Sequence, residues 1–110
     1  MKSTTKLTAE YRRLTTRVSA TGWISHGYVQ DRGPGAGGPC YQWTRKERGK
    51  TISVALSKDQ YLWMRKAIAN WRKLQTVLTR MEQVSRTIMF TTMPDTRRRK
   101  PLSRKVMGLN

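Results

Sequence analysis

Between Lys6 and Ala20 the apolar residues Leu7, Tyr11, Leu14 and Val18 are spaced four, three and four apart. That spacing lays them along one stripe of an amphipathic helix. Arg12, Arg13 and Arg17 fall off the stripe. Gly22 ends the pattern, and Trp23 to Val29, rich in aromatic and β-branched residues, predicts a short strand. The run from Gly33 to Pro39 is dominated by Gly and Pro and reads as a loop.

Two alternating segments follow, Tyr41 to Glu47 and Lys50 to Leu56, around Arg48-Gly49. They predict a hairpin with a tight turn. A two-residue turn sets Arg45 opposite Ile52, Trp43 opposite Val54 and Tyr41 opposite Leu56 on a core face. Lys46 with Thr51, Thr44 with Ser53 and Gln42 with Ala55 then form a polar face.

Ser57-Lys58-Asp59-Gln60 has the form of a capping box and opens a long helix. Its expected apolar stripe is Met64, Ala67, Trp71, Leu74, Leu78, Met81 and Ile88, with Ser85 filling the gap. No Gly or Pro intervenes before Pro94. A run to about Thr91 is roughly 50 Å long, more than a core this small can cover. Either the helix breaks or its C-terminal half meets a partner. Beyond Pro94 basic residues stand among Pro and polar residues with little to bury, which predicts a tail disordered when free. The expected architecture is α+β: an N-terminal helix, a three-stranded antiparallel sheet and a long helix in one domain over 1–92, then a basic tail over 93–110.

Composition adds a polyanionic partner to this outline. The 110 residues include 23 Lys or Arg against 6 Asp or Glu, a net charge of +17. The usual partners of such a surface are nucleic acid and anionic membrane. The longest apolar stretch, Ile88-Met89-Phe90, is far too short to span a bilayer, and Met1 to Glu10 lacks the apolar core of a signal peptide. The lone Cys40 excludes an internal disulfide and any Cys-rich zinc site. A cytoplasmic protein, associated with nucleoid or ribonucleoprotein and not with a membrane, is expected.

Catalytic motifs fail one by one. Gly33 and Gly38 have the spacing of a phosphate-binding P-loop, but Pro39-Cys40 stands where Lys-Ser/Thr is required. Gly49-Lys50-Thr51 has Thr44 in place of the first Gly and sits in a hairpin. The six acids lie at least twelve residues apart, so none forms a local metal-binding pair. His26 is a lone histidine on the first strand, and a Cys40-His26 pair has no third group to orient it. Neither metal nor cofactor is expected, and the chain reads as non-enzymatic.

The basic residues are more informative. Arg65, Arg72 and Arg86 fall on one seven-residue series of the long helix, and Lys66, Lys73 and Arg80 on the adjacent one, so both stay on one face. Acidic residues at i±4 are nearly absent. Lys46, Arg48 and Lys50 on the hairpin and Arg97, Arg98, Arg99 and Lys100 in the tail complete the expected phosphate contacts. Trp63, off the main helix stripe, is the candidate for base stacking. Trp43 and Trp71 are assigned to the core.

Three segments, Gly38-Pro39-Cys40-Tyr41-Gln42-Trp43, Arg48-Gly49-Lys50-Thr51 and Ala69-Asn70-Trp71-Arg72-Lys73-Leu74, together carry a resemblance. Over roughly Tyr11 to Met81 the chain resembles a family of short prokaryotic proteins known only as a domain of unknown function, often encoded near mobile elements. Many members carry a Cys-Gly-Lys-Pro-x-Cys-x-Cys cluster between the first two strands. This chain has Gln30-Asp31-Arg32-Gly33-Pro34 there, with Cys40 alone nearby, so the resemblance implies no metal site for it. Three strands followed by a helix are also similar, as a fold-level analogy, to the arm-binding domains of phage-type integrases, which lay a sheet in the DNA major groove.

The combined expectation is a non-catalytic DNA- or RNA-binding protein, an accessory component of a mobile-element or ribonucleoprotein complex alongside a larger protein. The alternative is an assembly protein. Its long helix would pair with a second copy or an acidic protein through the Trp71-Leu78-Ser85 and Leu74-Met81-Ile88 series.

Overall fold

The computed structural model describes residues 4–35, 37–93, 95 and 101–109. The protein is α+β. Its elements, in chain order, are α1 (Thr4–Ser19), β1 (Tyr28–Asp31), β2 (Tyr41–Glu47), β3 (Lys50–Leu56), α2 (Lys58–Thr92) and the short α3 (Arg104–Met107). They fall into two compact units: a sheet unit, Thr21–Leu74, and a helical unit made of Met1–Ala20 and Gln75–Asn110. Among the described residues, no helix is long and apolar enough to cross a membrane.

In the sheet unit the strand order is β1-β2-β3, antiparallel throughout. The β2–β3 register is the expected one at every pair, from Tyr41 opposite Leu56 to Lys46 opposite Thr51. Arg48 and Gly49 form the turn, both with positive φ, 50° and 78°, as the right-handed twist of a two-residue hairpin demands. The first strand differs from expectation. Trp23 to His26 are not strand, and β1 starts at Tyr28 and pairs through Asp31 with Tyr41.

Gly27 explains that start. Its φ is +97°, and a Cβ there would lie 2.6 Å from the Thr44 carbonyl oxygen and 2.6 Å from Nε1 of Trp43. The Trp43 indole donates to the His26 carbonyl at 3.0 Å. The segment before β1 is therefore bent around the Trp43 ring instead of continuing the ladder.

One sheet face meets α2. The rings of Tyr41 and Tyr61 lie 4.9 Å apart, and the Ser25 amide donates to the Ala67 carbonyl. Ala67 and Ile68 are buried. Trp43 and Trp71, assigned to the core, are half-buried. Strands of four, seven and seven residues against a single helix have too few layers to enclose an indole on every side.

The capping box forms as expected. The Gln60 amide donates to Ser57 Oγ at 3.1 Å, and the Ser57 amide to Gln60 Oε1 at 2.9 Å. Ser57→Ala should cost about 1 kcal/mol, read as a thermal midpoint lower by about 4–8 °C. An unchanged melt would show that helix packing alone holds this terminus.

From there α2 runs unbroken for 35 residues. In the helical unit Leu7 and Leu14 of α1 bury against Val77 and Val84 of α2, flanked by Tyr11, Val18, Met81 and Ile88. The α1 stripe is the expected one. On α2 the seam is Val77, Met81, Val84 and Ile88, spaced four, three and four like its partner. Leu78 and Ser85, placed on the stripe by the sequence pattern, are exposed instead. The C-terminal half of the helix thus meets a partner in the same chain.

The region read as a tail also differs at its end. Ser103 caps α3 by accepting from the Val106 amide, Gly108 closes it in the left-handed region at φ 71°, and Leu109 is buried. The Arg104 guanidinium donates to the Leu109 carbonyl at 2.8 Å. A boundary at Thr92 therefore does not mark the end of packed structure. Arg97, Arg98, Arg99 and Lys100 lie outside the described residues.

Candidate nucleic-acid interface

Antiparallel pairing sends alternate residues to opposite sheet faces. Tyr41, Trp43, Ile52, Val54 and Leu56 share the face whose Tyr41 ring meets Tyr61 of α2. Gln30, Gln42, Thr44, Lys46, Thr51 and Ser53 share the other, where the Thr44 and Ser53 hydroxyls lie 3.2 Å apart. On that polar face Gln30, Lys46, Thr51 and Ser53 are exposed, and Gln42 and Thr44 are half-buried. Lys46, Arg48 and Lys50 are exposed at the hairpin end of the sheet, and none of the three forms an ion pair among the described residues. Arg45, on the Tyr41 face, lies over the Trp43 ring at 4.6 Å and reaches Glu47 at 3.6 Å.

The hairpin tip is chemically unusual. Asn and Gly are the residues that favour positive φ at both turn positions, whereas Arg48 holds a left-handed conformation at a cost of about 1–2 kcal/mol. A long cation thus stands at the most projecting point of the sheet.

On the first half of α2, Arg65, Lys66, Arg72 and Lys73 are all exposed. The expected cationic stripe ends there. In the helical unit, Arg80 is half-buried and grips Glu10 with two bonds, Nε to Oε2 at 2.6 Å and Nη2 to Oε1 at 2.8 Å. The hydrogen bond to Glu10 raises the Arg80 pKa above its ordinary value, against partial burial. Arg86 pairs with Glu82 at 3.2 Å and donates to the Gly108 carbonyl at 3.0 Å. The seven-residue period places both arginines among the expected phosphate contacts; in the structure their guanidinium groups join α1 and the Gly108 carbonyl to α2.

Trp63 is 52% exposed, and Trp23, which the sequence pattern assigned to a strand, is 77% exposed. The adjacent pair Trp23-Ile24 was the available signal, since two neighbouring apolar residues cannot both face one side of a strand. His26 packs edge-on against Trp43. The Cys40 thiol faces Asp31 Oδ1 at 3.8 Å. Partial desolvation and the nearby Asp31 charge raise the Tyr41 pKa. Among the described residues, no three His, Cys, Asp or Glu side chains are grouped to hold a metal ion.

Compared with family models, curated proteins and solved structures, the chain matches none. A functional reading therefore rests on the geometry and charge of the molecule itself.

Proposed function

We propose that this chain is a non-catalytic nucleic-acid-binding protein that contacts phosphates through the hairpin tip and the first half of α2. One observation carries the reading: in the sheet unit ten Lys or Arg face three Asp or Glu, and Lys46, Arg48, Lys50, Arg65, Lys66 and Lys73 are exposed and, among the described residues, in no ion pair. Such charges attract a polyanion and gain from counterion release. The polar face, with its hydroxyl and amide groups, suits contact with a hydrated groove or backbone. The assembly alternative draws less support, because Met81 and Ile88 of its pairing series already pack against the cluster of Leu7, Leu14, Val77 and Val84.

Affinity for nucleic acid should fall steeply with salt, at about 0.9 log units per phosphate neutralised for each log unit of salt. Changing Lys46, Arg48 and Lys50 together to Gln should reduce that slope by up to about 3 and leave the thermal melt in place. Filter binding across a salt series checks both. Salt-independent binding would defeat the reading, and an unchanged slope in the triple variant would remove the hairpin from the interface.

A further inference from the structure

Trp23 combines two properties that seldom occur together. Its ring is 77% exposed, yet its backbone is fixed: the half-buried Asn70 donates its Nδ2 to the Trp23 carbonyl at 3.0 Å, across 47 residues of sequence. Gly22 lies against that same amide, where a Cβ would stand 3.1 Å from Asn70 Nδ2. Two residues further on, the Ser25 amide bonds the Ala67 carbonyl, one helical turn before Asn70. An indole left in water forgoes a large apolar burial. Here it is held in place on a pinned segment.

The helix row beneath it completes the arrangement. Trp63, Lys66, Asn70 and Lys73 follow one another at steps of three, four and three, so they share one face of α2. Trp63 is itself 52% exposed. Asn70, which anchors Trp23, lies about 10 Å along the helix from Trp63, with Lys66 between them and Lys73 one turn beyond. Neither lysine forms an ion pair among the described residues. Asp59, one turn before Trp63, puts a negative charge at the far end of the row.

We infer that this row is a binding strip for single-stranded nucleic acid, in which Trp23 and Trp63 stack on unpaired bases and Lys66 and Lys73 hold the phosphates. Exposed indoles accept any base on their π-face, and flanking ammonium groups follow the backbone. A paired duplex keeps its bases stacked on each other and offers these rings nothing. The inference rests on the nucleic-acid reading above and assigns it a strand form.

The test compares a short oligo-dT, an oligo-U and a mixed-sequence DNA duplex, binding to the wild-type chain and to Trp23→Ala, Trp23→Phe and Trp63→Ala. Trp23→Ala should weaken single-strand binding about tenfold, Trp23→Phe should restore most of it, and duplex binding should not move. The thermal melt of Trp23→Ala should match wild type, since its ring is mostly in water. Single-strand binding unchanged in both alanine variants, or an equal loss for duplex and single strand, overturns the strip while leaving phosphate binding by the chain intact. A wild-type chain that binds neither strand form overturns the general reading as well.

Discussion

Leu14→Ala is expected to lower the thermal midpoint of the far-UV helix signal by about 10 °C or more. Leu14 is 6% exposed and is one of four buried residues in the cluster that joins α1 to α2. Removing a buried leucine side chain costs about 2–5 kcal/mol, the upper end applying where neighbours do not relax into the gap. With so few residues in the cluster, no second layer compensates. Small domains hold about 5–15 kcal/mol in total. The paired control is Leu78→Ala: Leu78 is adjacent on α2 to a seam residue but 37% exposed, and its loss should shift the melt by only a few degrees. Equal effects of the two substitutions would show that the Val77-Val84 seam is wrongly placed.

Gly27→Ala should be similarly damaging to the sheet unit. The new methyl meets the Thr44 carbonyl oxygen and the Trp43 indole nitrogen, each at 2.6 Å. The first is backbone of the central strand and cannot swing away. Moving the second breaks its bond to the His26 carbonyl. Strain at positive φ of about 1–3 kcal/mol adds to the loss of a hydrogen bond, about 0.5–1.5 kcal/mol. All four tryptophans lie between Thr21 and Leu74, so indole emission reports this unit directly. A red shift and an earlier emission transition are expected. Gly35→Ala separates the causes, because Gly35 has φ +84° but nothing within 4 Å of its virtual Cβ. If both variants melt alike, crowding against β2 contributes nothing.

The parts of the fold that local chemistry determines were legible in the sequence. The hairpin register follows from a two-residue turn and strict alternation, and every pair from Tyr41 to Lys46 is as expected. Ser57 and Gln60 announce the start of α2 without reference to any distant residue. What escaped depends on tertiary partners. Val77 and Leu78 both continue an apolar series on α2, and only the placement of α1 decides that Val77 turns inward. Trp23 to His26 has the composition of a strand, but Gly27 wrapping the Trp43 ring takes those residues off the ladder. Leu109 gave no periodic signal, since one buried residue at the end of a basic segment has no period. The cations that the sequence groups on the hairpin and the N-terminal half of α2 are exposed. Arg80 and Arg86 show the limit of that logic, because period reveals which residues share a face and says nothing of which acids approach it.

The ion pairs divide the cations by residue type. Among the described residues Arg45, Arg80 and Arg86 pair with Glu47, Glu10 and Glu82. The planar guanidinium fork suits that task, as its two-point grip on Glu10 illustrates. Lysine takes no such part: Lys6, Lys46, Lys50, Lys58, Lys66, Lys73 and Lys105 are all exposed, and none of these described lysines has a side-chain partner. Acylation of amino groups, whether by a reagent or by an enzyme, would therefore strip positive charge from this molecule one lysine at a time and leave the arginine contacts between its helices untouched.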